Sequence, residues 1–502
     1  GGDPVSMPAR AEVRHTSHDR LVADVAALLA DGWRLALAAA HEDPEGFRVV
    51  YTFLRQRAAP VELWVTRPRE QAWLPTLAAL SYPAGRFERE MRDLYGIEPR
   101  DHPMPRRLVR HGHWPVGYYP MLRNADPEPR FDEDVGSYPF VEVEGEGVYE
   151  IPVGPVHAGL IEPGHFRFSV VGETILRMKA RLWFLHRGVE KLLEGRAPEQ
   201  GIELAERVSG DTAVGHSLAF VMAVEQARGV EVPPRALAVR ALLLELERLY
   251  NHVSDIGAIV NDVGYGIVHA HTQRLREQLL RHNKHVTGHR LLRGAVVIGD
   301  AGLSGEPDLG LIGDVARATA ELVDIALGNH VVNDRLTGTA VLDTEQARLL
   351  GTLGYVARAS GLEGDARLDH PFVGLPAGFE PAVQTSGDVM ARFLVRADEV
   401  RAGAALVAAY AEAARTASPS VPATDRAVAP AESHGFGVVE AWRGALCQRV
   451  ELAPDGTLSR VKIVDPSFFN WPALPVALAD TIVPDFPLAN KSFNQSYAGN
   501  DL

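Results

Sequence analysis

Cysteine is almost missing from this chain, which carries one, Cys447, in 502 residues. A single cysteine can form neither an internal disulfide nor a metal site built from several thiolates. Such a low content is typical of a protein that works in a reducing compartment such as the cytoplasm. We expect Cys447 to be a small buried hydrophobic residue rather than a nucleophile.

Long hydrophobic runs and an excess of positive charge are also absent. The stretch from Leu21 to Leu29 is interrupted by Asp24 and followed by Asp31, so it falls well short of the about 18 apolar residues that a membrane helix requires. The start of the sequence shows no basic, apolar leader. A formal net charge of -14 argues against a nucleic-acid-binding surface. Attachment to a membrane would therefore go through partner subunits.

Two kinds of site are disfavoured by incomplete motifs. The glycine pairs that begin at Gly145, Gly264 and Gly435 lack the third glycine of a dinucleotide fingerprint, so oxidation of a nicotinamide would need another subunit. His282, His285 and His289 have helical spacing, but basic neighbours make a solvated face a better interpretation than a zinc site.

What is present indicates two domains. With 46% hydrophobic and 23% charged residues, the composition is that of an ordinary globular protein. Residues 1–125 predict a small α+β domain with helices on one face of an antiparallel sheet. Residues 126–147, rich in proline, glycine and acids, predict a linker. Residues 148–502 predict a large, mainly α-helical domain with short strands near both ends. The expected helices are 21–30, 73–80, 237–256, 315–327 and 389–413, and the expected strands of the first domain are 47–53 and 61–66.

The first domain contains a long spaced motif. The segment F-E-R-E-M-R-D-L-Y-G-I over residues 87–97 is followed by H-P-M-P-R-R-L over residues 102–108. This pattern resembles the signature of the small, 30-kilodalton-type subunit in the peripheral arm of respiratory complex I. The alternative interpretation is an acidic, basic-studded helix and turn.

Further blocks in the second domain carry a second resemblance. They are similar to blocks shared by energy-converting nickel-iron hydrogenases and the quinone-site subunit of complex I, although Trp442 replaces a proline. A small complex I subunit fused ahead of the large one is the order of the formate-hydrogenlyase type of large subunit. The resemblance implies the hydrogenase large subunit fold for residues 148–502. The blocks are 154–168, H-R-G-V-E-K at 186–191, E-L-E-R-L-Y-N-H at 245–252, D-R-L-T-G-T at 334–339, G-D-V-M-A-R-F at 387–393 and E-A-W-R-G at 440–444.

The four cysteines that hold the nickel-iron centre in those hydrogenases are all replaced. The segment R-V-S-G-D-T-A-V-G-H-S has Ser209 and Thr212 in the first pair of cysteine positions. The segment D-P-S-F-F-N has Ser467 and Asn470 in the second pair. Neutral hydroxyls and an amide cannot replace four thiolates around a soft redox metal. We therefore expect a hydrogenase-shaped subunit without a nickel-iron centre.

The resemblance also implies roles around the vacated site. Glu162 matches the glutamate that passes protons to the metal in the hydrogenases, although a loop acid at the surface is the plainer interpretation. Arg443 matches an arginine that overhangs the metal. In complex I relatives the same cavity accepts a quinone headgroup, using a histidine of the opening loop, where this chain offers His157 and His165.

The sequence leaves the roles of other residues near the vacated site open. The complex I relatives use a tyrosine for the quinone, and none falls between Arg207 and His216, which disfavours that headgroup clamp. His216 fits a core histidine and a functional one equally well. Asp211 takes a place that is usually apolar in hydrogenases, so we expect it to refill the cavity with hydrogen bonds or to help move protons.

Three functions remain open. The first is a peripheral subunit on the cytoplasmic side of the membrane that couples electron transfer, with quinone as a candidate acceptor, to proton or ion translocation. The resemblance then implies an iron-sulfur small subunit with a 4Fe-4S cluster, and membrane subunits resembling the quinone-site membrane subunit of complex I and ion antiporters. It implies no cofactor held firmly by this chain and no nucleic-acid partner. The alternatives are an active nickel-iron hydrogenase and a non-catalytic scaffold whose cavity is packed shut.

Overall fold

The computed structural model describes residues 9–132, 136, 138–157, 159, 161–417 and 433–502. The predicted linker lies partly outside these residues, at 133–135 and 137, and its described residues form neither helix nor strand. The opening loop of the second domain lies outside them at Ala158 and Leu160.

The first domain is an α+β unit around a four-stranded sheet with the order β1-β4-β3-β2. The antiparallel prediction is confirmed for β2, β3 and β4, whereas β1 pairs in parallel with β4. β1 is a four-residue edge strand with mostly exposed side chains, so its sequence has no alternation that could reveal it. The elements are β1 Glu12–His15, α1 Leu21–Ala30, β2 Arg34–Asp43, β3 Gly46–Leu54, β4 Val61–Pro68, β5 Trp73–Pro75, α2 Tyr82–Tyr95 and β6 Glu98–Arg100.

The helix predicted for residues 73–80 is wrong. Trp73–Pro75 is the short strand β5, paired in parallel with β6, and a turn follows it. Leu74 and Leu77 are buried at a spacing that imitates a helix, but Pro75 lacks the N–H that a helix interior needs. The helix begins only at Tyr82, after Ser81, whose hydroxyl accepts a hydrogen bond from the amide of Ala84.

The spaced motif of the first domain forms a tied helix and turn. α2 carries its first half and ends at Gly96, which adopts the left-handed conformation that glycine favours. Asp93 accepts hydrogen bonds from the amides of Leu108, Val109 and Arg110, at 2.8, 2.8 and 3.1 Å. The two halves of the motif are therefore joined by the Asp93 carboxylate, which holds the turn that follows the helix. α2 is mostly buried rather than a solvated surface helix.

The second domain is mainly helical, with a three-stranded sheet near each end, as predicted. One short 3-10 helix occurs in each domain, Arg69–Gln71 in the first and Val483–Asp485 in the second, among the described residues. The elements are β7 Val148–Val153, β8 His165–Val171, β9 Thr174–Arg181, α3 Val189–Leu193, α4 Pro198–Ala205, α5 Ala213–Arg228, α6 Pro234–Asn261, α7 Gly266–Thr287, β10 Val296–Val297, β11 Asp300–Ala301, α8 Leu309–Leu327, α9 His330–Leu336, α10 Thr344–Leu350, α11 Gly354–Ala359, α12 Ala366–Asp369, α13 Val389–Thr416, β12 Ser433–Ala441, β13 Gly444–Leu452, β14 Leu458–Val464, α14 Pro466–Asn470, α15 Ala473–Ala477, α16 Phe486–Phe493 and α17 Tyr497–Asp501.

The core of this domain is a set of buried helices. α6 packs along α13, and α5 lies directly on strands β12 and β13. A side chain at Gly435 or Gly437 would place its Cβ 2.0 Å from a carbonyl oxygen of α5, so glycine is required for this close approach. α5 is buried on all sides except at its C-terminal end, which explains why it shows no amphipathic pattern. The predicted helices at 237–256, 315–327 and 389–413 are confirmed as parts of α6, α8 and α13.

Buried and partly buried ion pairs join the two domains. Arg48 on β3 contacts Glu451 on β13 at 2.8 Å, and Arg449 contacts Glu62 at 2.8 Å. Lys462 on β14 contacts Glu90 of α2 at 2.8 Å. Removing one partner of such a pair would leave a buried charge, so these contacts specify how the domains dock.

Two expectations from composition can be compared with the structure. Cys447 is buried, as predicted, and burial raises the pKa of its thiol to about 12, which disfavours the nucleophilic thiolate. None of the helices described here is long and apolar enough to cross a membrane.

Candidate functional site

A polar cavity of about 480 Å³ opens at Ser209, next to the place where the resemblance put the metal centre. Its walls come from the opening loop, the turn before α5, the β12–β13 turn and the segment from α16 to α17. The lining residues are Ile161, Glu162, Ser209, Gly210, Asp211, Arg443, Asn490, Lys491, Asn494, Gln495, Ser496 and Tyr497.

An ion pair occupies the first pair of vacated positions. Arg443 donates both terminal nitrogens to Asp211, with Nη1–Oδ1 and Nη2–Oδ2 distances of 2.7 Å. The hydroxyls of Ser209 and Thr212 each donate to Asp211 Oδ1 at 2.9 Å. Ser209 and Thr212, which replace the first two cysteines, thus both donate hydrogen bonds to the carboxylate of Asp211.

The charge on Asp211 is strongly fixed. Burial alone would raise the pKa of this carboxyl, but the Arg443 guanidinium and the Thr212 and Ser209 hydroxyls outweigh it and lower the pKa to about 2. The pKa of Arg443 is raised in turn, because Asp211 outweighs the effect of burial. The Asp211 side chain is still 37% exposed, toward the cavity, whereas that of Arg443 is 4% exposed.

Trp442 explains the departure from the family's proline. Its indole nitrogen donates to the carbonyl oxygen of Asp211 at 3.0 Å and to the Thr212 hydroxyl at 3.1 Å. The Arg443 guanidinium lies 4.0 Å from the centre of the Trp442 ring. A proline offers neither the donor nor the ring, so Trp442 supports the ion pair in the vacated site.

The second pair of vacated positions is fully buried behind the cavity. The Ser467 hydroxyl accepts a hydrogen bond from the amide of Ser496 at 2.9 Å. Asn470 accepts from the amide of Leu353 at 2.8 Å and donates to its carbonyl at 3.1 Å. The Ser496 hydroxyl also contacts the Ser209 hydroxyl at 2.8 Å. Ser496 therefore links both vacated pairs.

His216 lies deeper than the cavity and is not exposed. Its Nε2 contacts Asp465 at 2.9 Å, and its carbonyl oxygen accepts from Gln448 at 2.9 Å. Burial opposes ionisation of Asp465, but His216 outweighs it and lowers the pKa of that carboxyl. This arrangement favours the structural interpretation of His216.

The opening loop contributes one predicted residue to the cavity lining. Glu162 is exposed, and its Oε2 accepts a hydrogen bond from the amide of Ala498 at 3.2 Å. His157 and His165 instead contact backbone carbonyls of their own loop, Gly164 at 2.8 Å and Gly154 at 3.1 Å. Both histidines stabilise the loop that presents Glu162.

The comparisons with known proteins agree with this arrangement. Family models match for the 30 Kd subunit of respiratory-chain NADH dehydrogenase over residues 15–130, for nickel-dependent hydrogenase over residues 187–255, and for the 49 Kd subunit of respiratory-chain NADH dehydrogenase over residues 262–434. Formate hydrogenlyase subunit 5 of Escherichia coli is 32% identical, and the match covers 88% of this chain and 78% of that protein. The chain belongs to the family of complex I-like, hydrogenase-related large subunits.

Two further proteins are similar to the chain. A fused NADH-quinone oxidoreductase component of Phocaeicola vulgatus is 31% identical over 71% of this large subunit and 73% of its own length. A chain in the structure of the membrane-bound sulfane sulfur reductase, an archaeal respiratory membrane complex, has a TM-score of 0.64 at 25% identity. That match covers 71% of this chain and 99% of the other.

The donor set of this large subunit does not fit a nickel-iron centre. Ser209, Thr212, Ser467 and Asn470 supply oxygen and amide groups that are already bonded to protein partners, and thiolates are what a soft metal requires. Among the described residues, no three histidine, cysteine or acidic side chains gather in a group that could hold a metal ion. The expectation of a solvated histidine face is wrong for His282, which is buried and accepts from the amide of Asp308 at 3.0 Å.

Several residues of the site could not be found from the sequence. Lys491 and Tyr497 line the cavity from segments without a motif. Glu247 lies in the E-L-E-R-L-Y-N-H block and caps α5 by accepting from the amides of Val214 and Gly215 at 2.7 and 3.0 Å. Burial raises the pKa of Glu247 to about 8 despite these two hydrogen bonds. The block was a signal for Glu247, but nothing in it indicated the direction of the side chain.

Proposed function

We propose that this chain couples electron transfer to proton movement in a membrane-associated, complex I-like oxidoreductase, without a nickel-iron centre. The observation that carries the proposal is an open cavity beside the vacated metal site, lined by ionisable and hydrogen-bonding groups. By analogy with its relatives, the chain lies on the cytoplasmic side of the membrane. Its partners are an iron-sulfur subunit with a 4Fe-4S cluster and membrane subunits that resemble the quinone-site membrane subunit of complex I and ion antiporters.

The open cavity favours this function over the two alternatives. A scaffold with a closed site would leave no open space next to the filled metal positions, but a polar cavity of about 480 Å³ stays open there, beside Ser209 and Asp211. An active hydrogenase needs a redox metal, and the four replaced positions offer no thiolate. The cavity thus supports exchange of protons and polar groups rather than packing or metal chemistry.

Glu162 is the proton-carrying residue in this proposal. Its carboxyl stands at the cavity wall, and the amide of Ala498 holds one of its oxygens. Asp211 cannot take that part at neutral pH, because a carboxyl with a pKa of about 2 stays ionised. Asp211 instead neutralises Arg443 and keeps the guanidinium in place. In this proposal Glu162 transfers protons, and Asp211 stays ionised to hold Arg443 in place.

A quinone headgroup is the candidate acceptor at the same cavity. Lys491 and Asn490 offer donors that suit its carbonyl oxygens, whereas the Asn494 amide already donates to Asp255 at 2.7 Å. Tyr497 is a poor substitute for the complex I tyrosine, since its hydroxyl is buried. Burial also raises the pKa of Tyr497 to about 12, so the phenol stays neutral. We assign binding of the headgroup to Asn490 and Lys491.

The test compares Glu162→Gln with Glu173→Gln in the complete membrane complex. Glu173 is an exposed acid in the turn between β8 and β9, outside the cavity. We expect Glu162→Gln to lower proton-coupled turnover by on the order of a hundredfold while the complex still assembles, and Glu173→Gln to leave turnover unchanged. Normal proton-coupled turnover in Glu162→Gln would contradict the proposal. Stoichiometric nickel in the same preparation would contradict the absence of a metal centre.

A further inference from the structure

A buried arginine of the first domain reaches the back of the cavity. Arg86, on α2, is 7% exposed. It donates to the carbonyl oxygen of Phe468 in α14 and to Asn500 Oδ1 in α17, the latter at 3.4 Å. Its guanidinium lies 4.3 Å from the centre of the Phe468 ring and 5.5 Å from that of Trp183. Every one of these contacts lies in the second domain.

Arg86 differs from the other cations at the domain boundary. Arg48, Arg449 and Lys462 each contact a carboxylate at 2.8 Å. Within the described ranges, no carboxylate lies within ion-pair distance of Arg86. Burial lowers the pKa of Arg86 to about 10, which leaves it cationic at neutral pH. A buried charge without a counter-ion is costly, so domain docking alone is a poor account of this residue.

One acceptor of Arg86 lies in α17, whose Tyr497 lines the cavity, and the other lies in α14, directly behind the lining. α14 carries Ser467 and Asn470, and its Phe468 carbonyl is near the C-terminal end, where helix carbonyls lack partners within the helix. α17 begins after Ser496, whose amide donates to the Ser467 hydroxyl. These two segments therefore meet on the cavity side at Ser467 and Ser496, and on the opposite side at Arg86.

A second link connects Arg86 to an acid near the cavity. Asn500 donates to Asp501 Oδ1 at 2.8 Å, and the other oxygen of Asp501 accepts from the amide of Leu185 at 3.0 Å. Asp501 is 1% exposed, and burial raises its pKa to about 6, with Glu162 adding to the rise. Arg86, Asn500 and Asp501 thus form a series of polar contacts from the first domain toward Glu162.

We propose that Arg86 is a positioning residue through which the first domain holds the cavity wall and sets the electrostatic potential behind Glu162. The guanidinium fixes α14 and α17 relative to each other with two donors. Its positive charge, undiminished by a paired carboxylate, favours the ionised form of acids nearby. This inference rests on the proposed proton-carrying role of Glu162 for its effect on turnover, but the effect on the cavity wall is independent of that role.

Other charged and titratable groups surround these residues and stay the same when Arg86 alone is changed. Those that act on Arg86 are Tyr82, Arg89, Glu90 and Asp501. Those that share the cavity with Glu162 are Asp211, Arg443, Lys491 and Tyr497. A shift in the pH profile that follows the charge at position 86 can therefore be assigned to Arg86.

The test uses the complete complex with Arg86→Met, Arg86→Lys and the control Arg48→Met. Methionine removes the charge and both donors, whereas lysine keeps the charge but cannot hold both acceptors. Arg48→Met breaks a cross-domain ion pair that is not in the cavity lining. Amide hydrogen exchange of residues 466–471 and 494–502 measures how often these segments of the cavity wall open. Turnover from reduced methyl viologen to a water-soluble quinone analogue, followed against pH, measures the site.

We expect faster exchange in both segments for Arg86→Met and less so for Arg86→Lys, with no change there for Arg48→Met. Turnover should fall about tenfold or more in Arg86→Met, because misplacement of a catalytic wall by about 1 Å is enough for such a loss. The limb of the pH profile that requires an ionised acid should move to higher pH in Arg86→Met and stay in place in Arg86→Lys, which keeps the charge.

Two results would overturn the inference. One is an Arg86→Met complex whose exchange and turnover match those of Arg48→Met, which would make Arg86 a docking residue only. The other is a pH profile that moves equally in Arg86→Lys and Arg86→Met, which would remove the electrostatic role. If Arg86→Met does not fold, Arg86→Lys and Asn500→Ala decide the exchange result. Absence of quinone reduction in the unmodified complex would contradict the proposed function, and the exchange measurement would still decide the positioning role.

Discussion

Replacing Asp211 by asparagine should destabilise the protein through the arginine that it leaves behind. The asparagine keeps the shape of the side chain and one acceptor for the hydroxyls, but it removes the negative charge that faces Arg443. Arg443 is 4% exposed and would become a buried cation without a counter-ion. Breaking a fully buried pair in this way costs about 3 to 5 kcal/mol, and an exposed pair contributes about 0 to 1 kcal/mol. Since Asp211 is 37% exposed, we expect a loss of about 2 kcal/mol, between these two limits.

Urea unfolding followed by far-ultraviolet circular dichroism measures this loss from the shift in midpoint. The matched control is Glu412→Gln, which breaks the exposed pair with Arg415 on α13, and it should change stability by less than about 0.5 kcal/mol. The double variant Asp211→Asn/Arg443→Met should cost less than the sum of the two single changes, because it leaves no charge unpaired. Strict additivity, or an Asp211→Asn effect no larger than that of the control, would refute the reasoning.

Four further outcomes are expected. The stabilisation from Asp211 should persist from neutral pH down to about pH 4 and then be lost toward pH 2, because its folded pKa is about 2 and its ordinary value is 3.8; the midpoint difference between wild type and Asp211→Asn should close over that range. The effect of Glu247 on the pH dependence of stability has the opposite sign, because its folded pKa of about 8 lies above the ordinary 4.5. Its contribution to stability is fully present below about pH 4.5 and is lost as pH rises through 8, and Glu247→Gln should remove this part of the change in unfolding midpoint with pH. Ser209→Ala and Asn470→Ala should each lower stability by roughly 1 to 3 kcal/mol, because they leave buried partners unsatisfied, and a neutral result in urea unfolding would argue that water replaces the lost groups. The chain should sediment with membranes only when its partner subunits are present, and membrane binding in a strain that lacks them would contradict attachment through partners.

The sequence was most informative where the chain carries motifs that it shares with its relatives. The replaced cysteine positions and the E-A-W-R-G block were enough to expect that Asp211 and Arg443 share one site, and the structure places them in direct contact. It was least informative for local elements with ambiguous spacing. Residues 73–80 have apolar side chains at helical intervals, and only Pro75 indicates that the segment forms a strand and turn.

The rest of the site depends on contacts that no local pattern shows. Lys491 and Ser496 lie in a segment without a recognisable block, yet both line the cavity. His157 and His165 matched a histidine position of the relatives, but their rings bond within their own loop. A motif fixes which residues are present, whereas the direction of each side chain follows from the packing of segments that are distant in sequence.

The distance along the chain between cavity partners has a consequence for folding order. Arg443 and Asp211 are 232 residues apart, Ser496 and Ser209 are 287 apart, and Ala498 and Glu162 are 336 apart. Contacts between such distant residues require closure of very long loops, which makes them slow to form compared with helices. We therefore expect the helices to form early and the cavity to close last. A partner protein that docks against this wall would meet a finished surface only after residues 490–497 have reached the core, so chain folding precedes assembly.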